Sequence, residues 1–186
     1  ALVTVSAVSA VIAGIVAPGK SARLDEIVLR KIPIKDIDCA PDRGKIDCYE
    51  NYYAQLVDDV DPLRAFSDLF TRYESDPLAH DNCHSFVHTI GRNAARKFGD
   101  VAEAFVHGNS FCWSGYYHGV MEYLVAKVGR QNISKNIASI CAPIAETRKY
   151  TFDHYNCVHG LGHGLMAITY NDVPQSLGMC DVLGDS

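Results

Sequence analysis

Apolar side chains recur at intervals of three and four positions along most of the chain after residue 47, which is the spacing of amphipathic helices. This pattern predicts a helix that ends near Asp61, a second that begins at Pro62, and a third that runs from Pro77 to Gly99. Further helices are predicted over 101–107, 114–128, 134–148 and 158–170, with a last segment beginning at Pro174. No stretch after residue 47 alternates as a β-strand does, so we predict an all-α fold.

The part of the chain that precedes these helices divides in two. Residues 2–17 carry no charge and are rich in Val, Ala and Ile. Residues 20–47 contain breaking residues such as Pro33 and Gly44, which interrupt long elements. We therefore interpret residues 20–47 as a connector and residues 48–186 as the main helical domain, rich in Cys and His.

Residues 1–19 are predicted to form a hydrophobic helix of the membrane-anchor or filament type. Its uncharged part would be about 24 Å long as an α-helix, slightly shorter than the roughly 30 Å hydrocarbon core of a bilayer. A retained signal peptide and a buried core segment are the two alternatives. The first interpretation predicts a membrane as a partner, with the main domain anchored on its extracytoplasmic side.

A ten-residue motif occurs twice in the second half of the chain. Residues 112–121 read CWSGYYHGVM and residues 157–166 read CVHGLGHGLM, so both match C-x-x-G-x-x-H-G-x-M at an offset of 45 residues. A looser relative occupies residues 83–92. Paired helices with a period near 45 residues are typical of α/α solenoids and of compact helical arrays. We predict one of these two architectures, preceded by the N-terminal hydrophobic helix.

Composition and charge narrow the class of partners. Hydrophobic residues make up 48% of the chain and charged residues 21%, a balance typical of globular proteins and not of disordered ones. The net charge of -5 comes without a cluster of Lys and Arg, whereas proteins that bind duplexes carry a basic face. We therefore exclude nucleic acid and expect other protein subunits, together with a membrane, as partners.

Seven cysteines are unusual for a cytosolic chain of this length and indicate an oxidising, extracytoplasmic compartment. Cys39 and Cys48 flank a turn and are predicted to form a local disulfide. Cys141 and Cys157 are predicted to join two adjacent helical segments. Because the count is odd, Cys180 is expected to pair with a cysteine beyond the end of this sequence, in a domain that continues there.

Polar residues spaced four apart occur on three of the predicted helices. Residues at i and i+4 share one helix face, so each pair presents two ligands on one side. The pairs are His84 with His88, His118 with Glu122, and His159 with His163. We predict that these five imidazoles and one carboxylate converge between the three helices as ligands of one or two ions of zinc, iron or copper.

Other interpretations of these histidines stay open at this point. A residue that recurs in each repeat unit, as His118 and His163 do, is often a buried structural imidazole. Two axial histidines would suit a non-covalent haem, although haem is favoured less than a metal ion. A cysteine nucleophile assisted by histidine is a further interpretation, because Cys83 precedes His84 directly.

Two functions follow from these patterns. The first is a membrane-anchored, extracytoplasmic helical-repeat protein that acts as an accessory or scaffold subunit of an envelope complex or filament. The second is a histidine-rich metalloprotein with a mononuclear or dinuclear site between helices. The sequence leaves enzymatic activity open, because the same ligand set can serve a structural or a catalytic ion.

Overall fold

A computed structural model describes residue 29 and residues 31–40, 44–142 and 151–181. Residues 31–40 have no regular structure, and every element of the other described ranges is helical. The predicted hydrophobic helix of residues 1–19 lies outside the described residues. Within them, none of the helices combines the length and the apolar character that a membrane crossing requires.

Nine helices succeed one another along the described residues, which confirms the all-α prediction. In chain order they are α1 (Lys45–Asp59), α2 (Pro62–Tyr73), α3 (Pro77–Asp81), α4 (Cys83–Phe98), α5 (Val101–Val106), α6 (Gly115–Val128), α7 (Arg130–Ile140), α8 (Phe152–Ile168) and α9 (Val173–Cys180).

Three of the predicted helix boundaries are wrong: α7 begins at Arg130, four residues before its predicted start, and local capping explains the other two. The single helix predicted from Pro77 to Gly99 is divided at Asn82, whose side-chain amide donates to the carbonyl of Leu78 at 3.0 Å and ends α3. A side chain that bonds to the backbone in this way competes with helix continuation. α8 begins six residues earlier than predicted, because the Thr151 hydroxyl caps it by accepting from the backbone N–H of His154.

The core is organised around α6, which packs against α4 on one side and α8 on the other. α1 and α2 also pack against α4. Large side chains fill these contacts completely, and burial of such apolar area is the main favourable term in folding. Those with almost no exposed surface include Tyr53, Phe66, Phe86, Tyr116, Tyr117 and Leu161.

Paired glycines allow the backbones of α4 and α6 to touch. A Cβ atom at Gly91 of α4 would overlap the carbonyl oxygen of Tyr116, and a Cβ at Gly119 of α6 would overlap the carbonyl oxygen of His88. Only glycine therefore fits at these two positions. The close approach places the side chains that flank the glycines, on both helices, opposite one another.

A buried ion pair holds the irregular segment 31–40 against α2. The guanidinium of Arg72 donates through Nε to Asp68 at 2.6 Å, and both side chains are almost fully buried. The same guanidinium also donates to the backbone carbonyl of Lys35. Tyr52 donates its hydroxyl to Asp68 at 2.9 Å, so the buried carboxylate has several donors to offset its loss of water.

Six of the seven cysteines form disulfides. The structure contains the two predicted pairs, Cys39 with Cys48 and Cys141 with Cys157. The third bond, which the sequence analysis did not predict, joins Cys83 at the start of α4 to Cys112 just before α6. Cys180 has a free thiol. The described chain therefore has the disulfide density of proteins from oxidising compartments.

The glycine contact between α4 and α6 gives a stability prediction. We expect Gly119→Ala to lower the free energy of unfolding by about 2–3 kcal/mol, because the added methyl group forces the two backbones apart. Gly178 is the matched control, because a Cβ on this helical glycine meets no atom within 4 Å. Gly178→Ala should raise the free energy of unfolding by about 0.5–1 kcal/mol. Urea denaturation of the disulfide-intact proteins measures both, and equal effects would contradict the contact.

Candidate metal centre

Three helices bring all five predicted histidine ligands to one region. α4 contributes His84 and His88, α6 contributes His118, and α8 contributes His159 and His163. The potential ligand atoms form two sets of three that share His118, and the atoms of each set lie within 4.8 Å of one another. We call His84, His88 and His118 the inner triad. We call His118, His159 and His163 the outer triad.

The inner triad has the ring orientations of a shared metal site. The planes of its three imidazoles are inclined to one another by 63°, 70° and 73°, so their edges can converge on one point. The Nε2 atoms of His84 and His88 are 3.1 Å apart. Two nitrogens bound to one tetrahedral zinc ion, each at about 2.0–2.1 Å, would be separated by about 3.3 Å. The observed spacing is close to that value.

Hydrogen bonds determine which ring nitrogens of His84 and His88 carry protons. His84 donates through Nδ1 to the carbonyl oxygen of Cys112 at 2.8 Å, since a carbonyl can only accept. His88 donates through Nδ1 to the Glu122 carboxylate at 3.1 Å. In the neutral rings both Nε2 atoms therefore present lone pairs to each other. That arrangement is unfavourable unless a cation lies between them.

A strained segment supplies the acceptor for His84. Cys112, Trp113 and Ser114 all have positive φ angles of 53°, 57° and 60°, which cost energy for residues other than glycine. The disulfide from Cys112 to Cys83 and the hydrogen bond from His84 hold this segment in place. The strained residues are thus those that hold the Cys112 carbonyl oxygen against His84 of the inner triad.

Glu122 lies behind His88 and belongs to neither triad. One carboxylate oxygen accepts from Nδ1 of His88, and the other accepts from the guanidinium of Arg92 at 3.2 Å. Burial alone would raise the pKa of Glu122, but the hydrogen bonds from His88 and Arg92 outweigh it and lower the pKa. The carboxylate is therefore ionised and engaged through both oxygens, in the position of a residue that orients a ligand.

His118 is the most buried member of the cluster, with 6% of its surface exposed. Its Nδ1 atom is buried and has no hydrogen-bond partner among the described residues. Burial, together with the neighbouring histidines, lowers the pKa of His118 from its usual 6.5 to about 3. The ring is therefore neutral at physiological pH, and its unpaired nitrogen would be stabilised by a metal ion.

The outer triad is more exposed and its rings are stacked. The Nε2 atoms of His159 and His163 are 3.2 Å apart, again close to the spacing of two ligands on one ion. The His118 ring is nearly parallel to both, with ring centroids 4.8 Å from His159 and 4.1 Å from His163. Burial lowers the pKa of His163 as well, which favours its neutral, ligating form.

The structure also contains partners that the sequence analysis did not identify. Arg92 and the Cys112 carbonyl act behind His88 and His84, and neither follows from residue spacing, because the first depends on helix packing and the second on a backbone turn. The interpretation of Cys83 as a nucleophile is wrong, because its sulfur is bonded to Cys112. A buried structural imidazole is expected to form a hydrogen bond, but Nδ1 of His118 has no partner among the described residues.

Comparison with known proteins gives no relative from which a function could be carried over. No protein-family model matches the chain, and searches of curated proteins and of solved structures find no match. The chemistry of the site therefore follows from its own geometry.

The lowered pKa of His118 predicts acid sensitivity of the metal-free protein. Below pH 6.5 the unfolded chain binds a proton on this residue that the folded protein, with a pKa of about 3, does not. The free energy of unfolding should therefore fall with decreasing pH, by up to about 1.4 kcal/mol per unit for this group. Urea denaturation between pH 4 and 7 should show a smaller slope for His118→Gln. Identical slopes would contradict the buried neutral state.

Proposed function

We propose that this protein binds a divalent transition metal ion between α4, α6 and α8, through the inner triad and, next to it, the outer triad. The observation that carries the proposal is the pair of opposed Nε2 atoms on His84 and His88, 3.1 Å apart, with both Nδ1 atoms donating elsewhere. His118, whose Nδ1 atom is buried and unpaired, supplies the third donor of each triad. Such a set leaves a fourth tetrahedral position open, as catalytic zinc sites do.

Zinc, iron and copper all accept imidazole ligands, and the donor set favours zinc or copper among them. Neutral imidazole is a borderline donor that both metals bind well. The carboxylate that would favour iron, Glu122, is already engaged by His88 and Arg92. The bound ion would keep its positive charge, because its imidazole ligands are neutral. The surrounding hydrogen bonds maintain the orientation of these rings.

We propose that the internal repeat positions the histidines of this centre. Gly119 and Gly164 occupy the same position of the two motif copies. Gly119 packs against α4, whereas Gly164 packs against Val125 and Met121 of α6, so each glycine meets the preceding helix of the series. The histidine before each glycine, His118 or His163, is thereby carried towards the same contact region. A paired-helix unit of about 45 residues would explain this regularity.

A second candidate is the role of a membrane-anchored accessory or scaffold subunit outside the cytoplasm. The three disulfides favour an oxidising compartment. Trp113 and Tyr170 are 74% and 85% exposed, and aromatic side chains are enriched at protein interfaces. This role is compatible with a metal ion that serves the fold, and it would stand alone if the metal measurement below were negative.

Metal content is the direct test of the proposal. The protein, demetallated and then dialysed against zinc, should retain at least one equivalent by elemental analysis. Zinc at 100 times its dissociation constant should raise the free energy of unfolding by about 2.7 kcal/mol. His118→Gln removes the ligand common to both triads, so it should abolish retention and this increment.

The control for this test is His80→Ala, which changes an exposed histidine outside both triads. It should retain zinc as the unmodified protein does. The metal-free stabilities separate the alternatives. A structural role for His118 predicts that His118→Gln destabilises the metal-free protein, whereas a ligand role predicts that the main loss is the increment from zinc. Retention of zinc by His118→Gln would contradict the proposal.

Glu122→Gln tests whether the carboxylate orients His88 or binds the ion itself. An orienting role predicts that the zinc affinity falls by about 10–100-fold with unchanged stoichiometry. Competition with a chromophoric chelator measures the affinity. Glu50→Gln is the control, because Glu50 is a half-buried carboxylate that accepts from Ser85 of α4 and belongs to neither triad. Complete loss of one equivalent would instead support the ligand role predicted from the sequence.

A further inference from the structure

A groove of about 330 Å³ opens between α8 and α9, beside the outer triad. Its size is at the lower end of the range for small-molecule sites. One wall is a stripe of α8 formed by His159, Gly162, His163 and Met166, at positions i, i+3, i+4 and i+7. The facing wall on α9 is formed by Val173, Leu177 and Cys180.

The two walls are held in position by polar contacts at the end of the groove. The hydroxyls of Thr169 and Ser176 are 2.7 Å apart and join α8 to α9, and both side chains are buried. The Asp172 carboxylate caps α9 by accepting from the backbone N–H of Gln175 at 3.0 Å. The groove is therefore defined by the fixed packing of α9 against α8.

The chemistry of the lining separates a polar end from an apolar body. His159 and His163 supply imidazole nitrogens at one end, and aliphatic and thioether groups line most of the remainder. No carboxylate occurs among the described residues that line the groove. Glu122 does not line the groove, and both of its oxygens are engaged by His88 and Arg92, so it supplies no ligand atom there.

These features define the ligand that the site would accept. A divalent ion held by neutral imidazoles keeps its positive charge, and an anionic donor is then the favoured occupant of an open coordination position. The adjoining apolar walls favour a ligand whose remaining surface is hydrophobic. Both requirements are met by one molecule only if its charged group is at the end next to His159 and His163.

We propose that the groove binds a small carboxylate with an apolar tail, whose carboxylate oxygen coordinates the metal ion of the outer triad. This inference rests on the metal binding proposed above and extends it to a centre that takes an external ligand. A neutral imidazole has a single lone pair, so His118 ligates the ion of one triad only, and this inference concerns an ion bound with His159 and His163.

The test uses calorimetric titration of the zinc-loaded protein with three probes. Benzoate has the charged group and the apolar body, acetate has only the charged group, and benzyl alcohol has the ring without the charge. We expect benzoate to bind at least tenfold more tightly than either of the others. We expect its affinity for the demetallated protein to be at least tenfold weaker.

Two glycine variants distinguish the groove from other binding modes. A Cβ at Gly162 or at Gly178 meets no atom within 4 Å, so both helical positions accept a side chain without displacing the backbone. Only Gly162 lines the groove. Gly162→Leu should therefore weaken benzoate binding at least tenfold, with acetate affinity and zinc content unchanged. Gly178→Leu should leave all three quantities unchanged.

The failure of this inference is distinguishable from the failure of metal binding. If zinc binds but benzoate is no better than acetate, or if Gly162→Leu has no effect, the groove assignment is overturned and the metal site stands. Equal benzoate affinity of the zinc-loaded and demetallated proteins would also overturn it, because the carboxylate would then not be on the metal. If no zinc binds, both proposals fail.

Discussion

The backbone contact between α4 and α6 is the constraint on which the rest of the described structure depends. Gly91 and Gly119 let the two helices approach until side chains on either helix at these positions would overlap the opposite backbone. His88 and His118 flank this contact, so the approach that excludes a methyl group also brings their rings to a centroid distance of 5.2 Å. The same glycine contact therefore determines both the packing of α4 on α6 and the geometry of the histidine cluster.

Covalent and ionic constraints maintain that arrangement from outside the helix contact. The Cys83–Cys112 disulfide joins the start of α4 to the segment before α6, and holds three residues with positive φ that would otherwise relax. In the first part of the domain, the buried pair of Asp68 and Arg72 binds the irregular segment to α2. Loss of either partner would leave an uncompensated buried charge, so this pair specifies one arrangement of the segment.

Two electrostatic features of the histidine cluster favour a metal ion: protonation of His118 and His163 is disfavoured, and the lone pairs of His84 and His88 oppose each other. Burial and the neighbouring histidines lower the pKa of His118 and of His163, so these two rings favour the neutral form. The Nε2 atoms of two pairs nevertheless face each other at 3.1 and 3.2 Å. A metal ion suits both features, since it binds neutral imidazoles and lies between the opposed lone pairs of His84 and His88. The ionised Glu122 behind His88 adds to the preference for a cation.

The sequence by itself determined the helical class, the capping signals such as Pro62, the two disulfides closed by short loops, and the helix faces that carry His84 with His88 and His159 with His163. Each of these depends on local spacing, which the linear order of residues contains. Tertiary structure decided which faces meet, and so it decided that His118 is shared by two triads and that Glu122 is held by Arg92. It also decided the Cys83–Cys112 bond, because a pairing across a turn and two helices depends on how those helices pack.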